Sequence, residues 1–299
     1  MLSEFRSLAV PLAHLVALVP RLLPRAFSIA SPPPRSTLPL PQLPHEQPSP
    51  QVMVPGPVFE LCVARVEYRT RYGRERSGVC SSWVCSDACS GTGSDAQGQG
   101  PQSRGCEQRV PVWITRGTFP PVLLADLDRP LVMVGPGTGV APMRSIALAR
   151  IAARRAAALL PCAAAAAAAD PPAAGATDML FFGCRRRGAD FLFGDELEEL
   201  HASGALRLVT AFSRDERTIG GGRMHVTHRL KEHGAAVWRA VHECGGAVLV
   251  AGRAGAMPRD VKAALVAVAV AHGGLSEADA ASFVKGLERR QRLCVEAYG

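Results

Sequence analysis

A run of four apolar residues, Leu131–Val134, stops at Gly135-Pro136-Gly137-Thr138-Gly139 and passes directly into a helix-compatible segment. No other feature constrains the fold of this chain as much. Glycine permits positive φ and close approach of the backbone to a ligand, while the free N–H groups and dipole of the following helix favour an anion. The spacing is neither the G-x-G-x-x-G fingerprint nor a Walker loop ending in Lys-Ser/Thr. Taken alone, the turn suits a pyrophosphate, but it also suits an ordinary tight turn.

The pattern around it repeats. Met179–Phe182 leads to Gly183-Cys184-Arg185 and an acidic helix near Asp195–Ala202. Leu206–Ala211 leads to Phe212-Ser213-Arg214-Asp215, and Ala247–Ala251 leads to Gly252 and a helix starting near Pro258. Near-continuous apolar strands separated by helices predict a parallel sheet covered on both faces, with ligands beyond the carboxyl ends of its strands. All four loops fall on that edge.

Before residue 128 the pattern is different. Arg25–Ala30, Val58–Arg69 and Val110–Thr115 read as strands, the second with imperfect alternation of Phe59, Leu61, Val63 and Val66, and a short helix near Leu12–Val19 leads in. The fold class expected is therefore α/β plus β: a β-rich unit over residues 1–127, then a parallel α/β unit over 128–299. Proline-rich residues 32–57, Gly/Ser/Gln-rich 86–109 and alanine-rich 156–176 read as insertions. The last of these also has the propensity to prolong the preceding helix.

Composition narrows the function classes. The net charge is +8, but the 34 Lys and Arg are dispersed and only 3 Trp and 3 Tyr are available for stacking, which argues against nucleic acid. Dispersed positive charge serves a phosphorylated cofactor or an acidic redox partner equally well. Nine cysteines without a secretory signal predict reduced thiols and a cytoplasmic location. Cys80, Cys85, Cys89 and Cys106 lack zinc-site spacing, so no metal is expected, and no run of apolar residues is long enough to span a membrane.

Within the expected loops, Ser213, Arg214 and Arg223, separated by Gly220-Gly221-Gly222, bring a hydroxyl and two guanidinium groups to one strand tip. Arginine pairs bidentately with phosphate, and such a set would select the 2′-phosphate of NADPH; two solvated arginines are the alternative. His225 either stacks on adenine or merely begins a helix. Arg185 either reaches the same phosphates or joins Arg186 and Arg187 in a solvated turn. Asp260 is either a ligand or a carboxylate complementing a helix dipole. In the first half, Arg25, Ala26, Phe27 and Ser28 alternate charge, ring and hydroxyl, and Gly78, Val79, Cys80 and Ser81 open a second candidate anion turn.

The motifs RAFSIAS, SGVCSSW, RPLVMVGPGTGVAPMRS, LFFGCR, AFSRD, AGRAGAMPRDV and VEAYG occur in that order. Together they resemble the ferredoxin-NADP-reductase-like half of the diflavin reductases, and among these the NADPH-dependent diflavin oxidoreductase family. The resemblance covers nearly the whole chain apart from the insertions. It implies an antiparallel β-barrel FAD domain followed by a parallel α/β NADPH domain, with hydride passing from NADPH to FAD. Electrons would then go to FMN in a flavodoxin-like domain or to an iron-sulfur protein of cytosolic cluster assembly.

By the same resemblance, Arg25, Phe27 and Ser28 match the flavin-binding strand, and Gly78 to Ser81 match the FAD-diphosphate turn. Gly135, Gly137, Thr138 and Gly139 match the NADPH loop. Ser213, Arg214, Arg223, Met224, His225, Val226, Thr227 and Asp260 match cofactor-contacting positions. Glu296 matches a carboxylate that orients hydride transfer.

Tyr298 takes the place of the usual shielding Trp, Ala251 the place of a cysteine in some relatives, and His225 that of a tyrosine. Little chain precedes Arg25, where a complete diflavin enzyme carries its FMN domain and a helical connecting region. The expectation is therefore the carboxyl-terminal reductase portion. A non-catalytic remnant that has lost flavin retention is the competing reading.

Overall fold

The computed structural model describes residues 10–18, 22–33, 58–86, 111–158 and 177–298. Most of the three insertions, with Cys89 and Cys106, lies outside the described residues. In chain order the elements are α1 (Leu12–Leu18), β1 (Glu67–Arg69), β2 (Glu75–Ser77), α2 (Val79–Val84), α3 (Pro121–Ala125), β3 (Leu131–Val134), a 3-10 turn (Gly137–Gly139) and α4 (Val140–Ala158). There follow β4 (Met179–Cys184), α5 (Arg187–Asp190), α6 (Gly194–Ala202), β5 (Arg207–Phe212), α7 (Val226–Glu232) and α8 (Gly234–Trp238). After a π-helical turn the chain ends with β6 (Ala247–Arg253), α9 (Ala256–Gly273), α10 (Glu277–Arg289) and β7 (Leu293–Tyr298). Among the described residues no helix is long and apolar enough to cross a membrane.

Five strands form one parallel sheet in the order β5-β4-β3-β6-β7. Side chains alternate across a strand, so each strand feeds two cores. Leu131, Met133, Leu180, Phe182, Leu249 and Ala251 face α4, α6 and Phe119, together with Met143, Ile146 and Leu197. Val132, Val134, Phe181, Val209, Val248 and Val250 face α7 to α10, together with Leu230, Trp238, Leu265 and Val284. Burial on both faces explains why the strand sequences read as apolar runs.

Local signals set the helices. Pro142 and Pro258 occupy first turns, where the missing N–H costs nothing. Ser276 caps α10 by accepting from the Asp279 N–H at 3.2 Å, and Gly274, with φ of 63°, ends α9.

Asp178 and Arg150, both about 1% exposed, tie the sheet to the segment leading into it. Asp178 accepts from the Leu131 N–H at 2.9 Å, from Arg150 Nε at 2.8 Å and from Arg154 Nη1 at 2.8 Å. Arg150 also donates to the carbonyls of Leu123, Asp126 and Arg129 at 3.2, 2.8 and 2.7 Å. All five N–H donors of a guanidinium can be satisfied this way, which is what makes its burial tolerable.

The first half departs from its expected strands. Val58–Arg69 reduces to β1 and one antiparallel bridge, Leu61 to Ile29, because its apolar residues change face between Val63 and Val66 and a ladder cannot follow that shift without a bulge. Residues 111–115 hold no strand: Pro111 lacks an N–H, and Val112, Trp113 and Ile114 are exposed. Antiparallel pairing among the described residues of the first half is the β1–β2 ribbon, Glu67 opposite Ser77, plus that bridge. The carboxyl-terminal VEAYG segment, read as a motif without an element, contributes to edge strand β7.

Two stability tests follow. Asp178→Ala leaves Arg150 buried without its counter-charge and is expected to cost about 3–5 kcal/mol, measured by urea unfolding. Burial, reinforced by Arg207, holds the His233 pKa below its ordinary 6.5, so the unfolded state binds more protons in the window beneath that value. Stability is therefore expected to be level above about pH 6.5 and to fall as the medium is acidified, with His233→Gln flattening the decline in melting temperature.

Candidate functional site

The sheet's carboxyl edge gathers the glycine loop, the end of β7 and a segment of the first half. Ser28 donates to Glu296 Oε1 at 2.8 Å, and Thr118 donates to Glu296 Oε2 at 2.9 Å, so both carboxylate oxygens are engaged. Two residues on, the Tyr298 hydroxyl lies 3.4 Å from Thr138 Oγ1 in the glycine loop. Ser28 and Thr138 thus meet at one strand end through Glu296 and Tyr298. Burial pushes the Tyr298 pKa up, Glu296 and Cys62 add to this, and the Thr138 hydrogen bond opposes it, so the phenol stays protonated.

Close packing fixes the loop. A Cβ on Gly139 would stand 2.0 Å from the Ala251 carbonyl oxygen, and one on Gly135 would stand 2.6 Å from the Gly139 oxygen. Gly137 differs, with φ of +58° and open space where a side chain would begin. In β6 and β7, Ala251 is in register with Glu296, and Arg253 with Tyr298. The loop therefore rests on β6 while its tip faces outward.

Arg144, 8% exposed, locks the first half onto α4. It donates to the Ala30 carbonyl at 2.9 Å and to Glu196 Oε1 at 3.0 Å, pairs with Glu60, and lies 4.4 Å from the centre of the Phe193 ring. Ser145 Oγ adds a bond to the Ser31 carbonyl at 2.7 Å. Phe27 and Ser28 are partly buried just upstream, whereas Arg25 and Ala26 are exposed. Among the described residues the Arg25 guanidinium reaches only the Leu23 carbonyl, at 2.9 Å.

A second group forms at the β5 end. Ser213 N–H donates to the Cys184 carbonyl at 2.9 Å and Arg214 N–H to the Arg185 carbonyl at 2.8 Å, which extends the ladder and sets Arg185 beside Arg214. Arg185 is held by both Asp190 oxygens, at 3.0 and 3.1 Å. Arg214, Arg223 and His225 are exposed. His225 caps α7 with its ring stacked on His228, and burial, followed by His228 and Arg223, holds its pKa down. Met224 and Val226 are 5% exposed and their side chains belong to the core, while Thr227 is partly buried. Cys184, pushed up to about 11 by burial with Asp190 and Asp215 nearby, is an unreactive thiol.

The remaining candidates lie apart from these groups. Gly78 precedes α2, where Ser81 Oγ accepts from the Val66 N–H at 3.0 Å, Val79 is exposed and Cys80 is partly buried. Asp260 is exposed and pairs with Arg259 at 3.4 Å. Sequence assigns no role to Thr118, which belongs to none of the motifs, nor to Arg144 and Ser82, which lie inside RPLVMVGPGTGVAPMRS and SGVCSSW but beside the residues that drew attention there. Ser82 Oγ is buried without a hydrogen-bond partner among the described residues.

This fold and edge define a nucleotide-binding α/β oxidoreductase domain, and residues 133–263 match the family described as the oxidoreductase NAD-binding domain. The chain is 36% identical over 293 residues to NADPH-dependent diflavin oxidoreductase 1 of Bos taurus, covering 97% of this chain and 39% of the relative. Its counterpart in Schizosaccharomyces pombe is 30% identical over 297 residues, covering 99% and 40%. NADPH--cytochrome P450 reductase of Drosophila melanogaster is 30% identical over 297 residues, covering 99% and 36%. The chain belongs to the NADPH-dependent diflavin oxidoreductase family and spans about two fifths of the length of these relatives.

The two loop glycines should respond differently to alanine. Gly139→Ala drives a Cβ into backbone and is expected to cost about 1–3 kcal/mol or to block folding. Gly137→Ala incurs only the left-handed strain of about 1–2 kcal/mol and should fold. Denaturant melts of the pair measure the contrast.

Proposed function

We propose that this chain is the reductase portion of a diflavin enzyme, taking hydride from NADPH onto FAD and passing electrons on to an FMN-bearing, flavodoxin-like domain or another one-electron acceptor. The proposed division is a β-barrel FAD domain over residues 1–127 and an NADPH domain over 128–299. The finer proposal for the final acceptor is an iron-sulfur protein of cytosolic cluster assembly, supported by the family resemblance alone.

One observation carries the reading. Ser28, Glu296, Tyr298 and Thr138 converge on a single strand end, where a flavin-facing hydroxyl and a nicotinamide-facing loop have to meet. The residues fit the groups they would hold. The unpartnered Ser82 hydroxyl beside Gly78–Ser81 leaves an acceptor or donor free for an FAD diphosphate. The open space over Gly137 leaves room for a pyrophosphate.

When bound, FAD supplies the capacity to accept two electrons together and release them singly. The protein's part is positioning. Glu296 holds the Ser28 hydroxyl by one oxygen and is itself held by Thr118 through the other. Tyr298, kept neutral, offers a ring face that stacks without introducing charge. Arg25 and Phe27 would hold the FAD diphosphate and ring, and Ser213, Arg214, Arg223 and His225 the adenosine 2′-phosphate end. Arg185 can reach a phosphate only by exchanging Asp190. Met224 and Val226 would contribute main chain, since their side chains lie in the core. Hydride transfer depends chiefly on such alignment of two rings.

The purified chain supplied with FAD is expected to absorb as a flavoprotein and to reduce ferricyanide with NADPH. A folded, colourless and inert protein would instead identify a non-catalytic remnant. Arg214→Ala combined with Arg223→Ala is expected to raise the KM for NADPH by about 10- to 100-fold and to narrow its advantage over NADH. Steady-state kinetics with both cofactors check this, and unchanged discrimination would remove the assigned phosphate pocket.

A further inference from the structure

Arg217 and Arg223 face each other across the hairpin that follows β5, joined by an antiparallel bridge. Hydrogen bonds flank the pair on both sides: Met224 N–H to the Glu216 carbonyl at 3.4 Å, and Thr218 N–H to the Gly222 carbonyl at 2.9 Å. The two arginines therefore occupy a non-hydrogen-bonded position, where opposed residues project to the same face and stand closest, with Cβ atoms about 4.5–5.5 Å apart. Like charges set this way repel, and an anion between or above them would relieve that repulsion.

The neighbouring carboxylates are engaged elsewhere. Glu216 gives one oxygen to Arg229 Nη2 at 2.7 Å and the other to the Phe212 N–H at 2.9 Å. Asp215 accepts from the Arg187 N–H at 2.8 Å, and Asp190 holds Arg185 with both oxygens while lying within electrostatic reach of Arg214. His225 and His228 add no negative charge. Arg217 and Arg223 are both exposed and form no ion pair among the described residues.

We propose that Arg217 is a further specificity-determining residue, closing a three-arginine cradle with Arg214 and Arg223 around the 2′-phosphate of the nucleotide. This rests on the 2′-phosphate reading of the β5 end given above. The hairpin tip, Gly220-Gly221-Gly222 with Gly221 at φ of +77°, folds the chain back tightly enough to bring Arg217 level with Arg223. A phosphate monoester between two such forks accepts bidentate hydrogen bonds from both and cancels their repulsion.

The test is isothermal titration calorimetry of the full chain with adenosine 2′,5′-bisphosphate and, in parallel, with 5′-AMP. Arg217→Gln is expected to weaken the bisphosphate about tenfold and to leave 5′-AMP unchanged. Arg217→Lys should recover part of the loss, since it keeps the charge and lacks the fork. Arg217 is exposed, so its variants should melt at the parent temperature, which separates a binding effect from a folding one. Bisphosphate binding that survives Arg217→Gln but not Arg223→Gln would overturn the proposal and leave the two-arginine pocket standing. Binding that survives both, and Arg214→Gln as well, would overturn the pocket itself.

Discussion

The Arg144 guanidinium decides whether this molecule has a site at all. It leaves α4 immediately after the glycine loop and reaches the Ala30 carbonyl, the Glu60 carboxylate and the Glu196 carboxylate at once. Burial by itself would lower its pKa, but Glu196 and Glu60 more than offset that and hold it above the ordinary value. The cation gains partners on both sides of the cleft, and each partner is anchored by a different element. Ser28, two residues before Ala30, is thereby delivered to Glu296. Without this clamp the segment from Ser28 to Ser31 would be held to the sheet unit by the Ser28–Glu296 and Ser145–Ser31 hydrogen bonds, and bonds of that kind contribute only about 0.5–3 kcal/mol each.

The parallel sheet supplies the other half of the geometry. Its strands all end on one edge, so residues far apart in sequence arrive together: the loop after β3, the end of β6 and the end of β7 meet within one packed unit. The same rule brings the β4 and β5 ends together and makes neighbours of Arg185 and Arg214. Glycine is required where these ends touch backbone to backbone, at Gly139 against Ala251, and is not required by packing at the outward tip, Gly137.

Much of the α/β half was legible because a strand buried on both faces must be apolar throughout. Leu131–Val134 is reproduced to the residue, and β4, β5 and β6 differ from their expected spans only at the ends. The first half was less legible for a physical reason: a ribbon with exposed faces carries little periodic signal, and Val66, Tyr68, Val112 and Trp113 are exposed although they are apolar. The candidate site residues followed the same division. Thr138, Ser213 and Arg214 sit in loops that follow strands and could be named from position. Thr118 and Arg144 could not, because their partners lie 178 and 114 residues away and no local spacing encodes such a contact.

The two ends of this edge are chemically unlike, and on the proposed reading that difference orients the nucleotide. The β7 end offers a neutral phenol, a threonine and a carboxylate already bound by two hydroxyls, so it presents ring surface and little free charge. The β5 end offers arginines whose neighbouring acids are committed elsewhere. Because β5 and β7 are the opposite edges of a five-stranded sheet, the two environments are separated by four strand spacings, about 19 Å at about 4.8 Å each. A molecule that satisfies both must be extended, anionic at one end and planar at the other, with its middle crossing the glycine loop. Reversing it would set phosphate against Glu296 and leave the arginines facing a neutral ring, so charge fixes the direction before any ring contact is made.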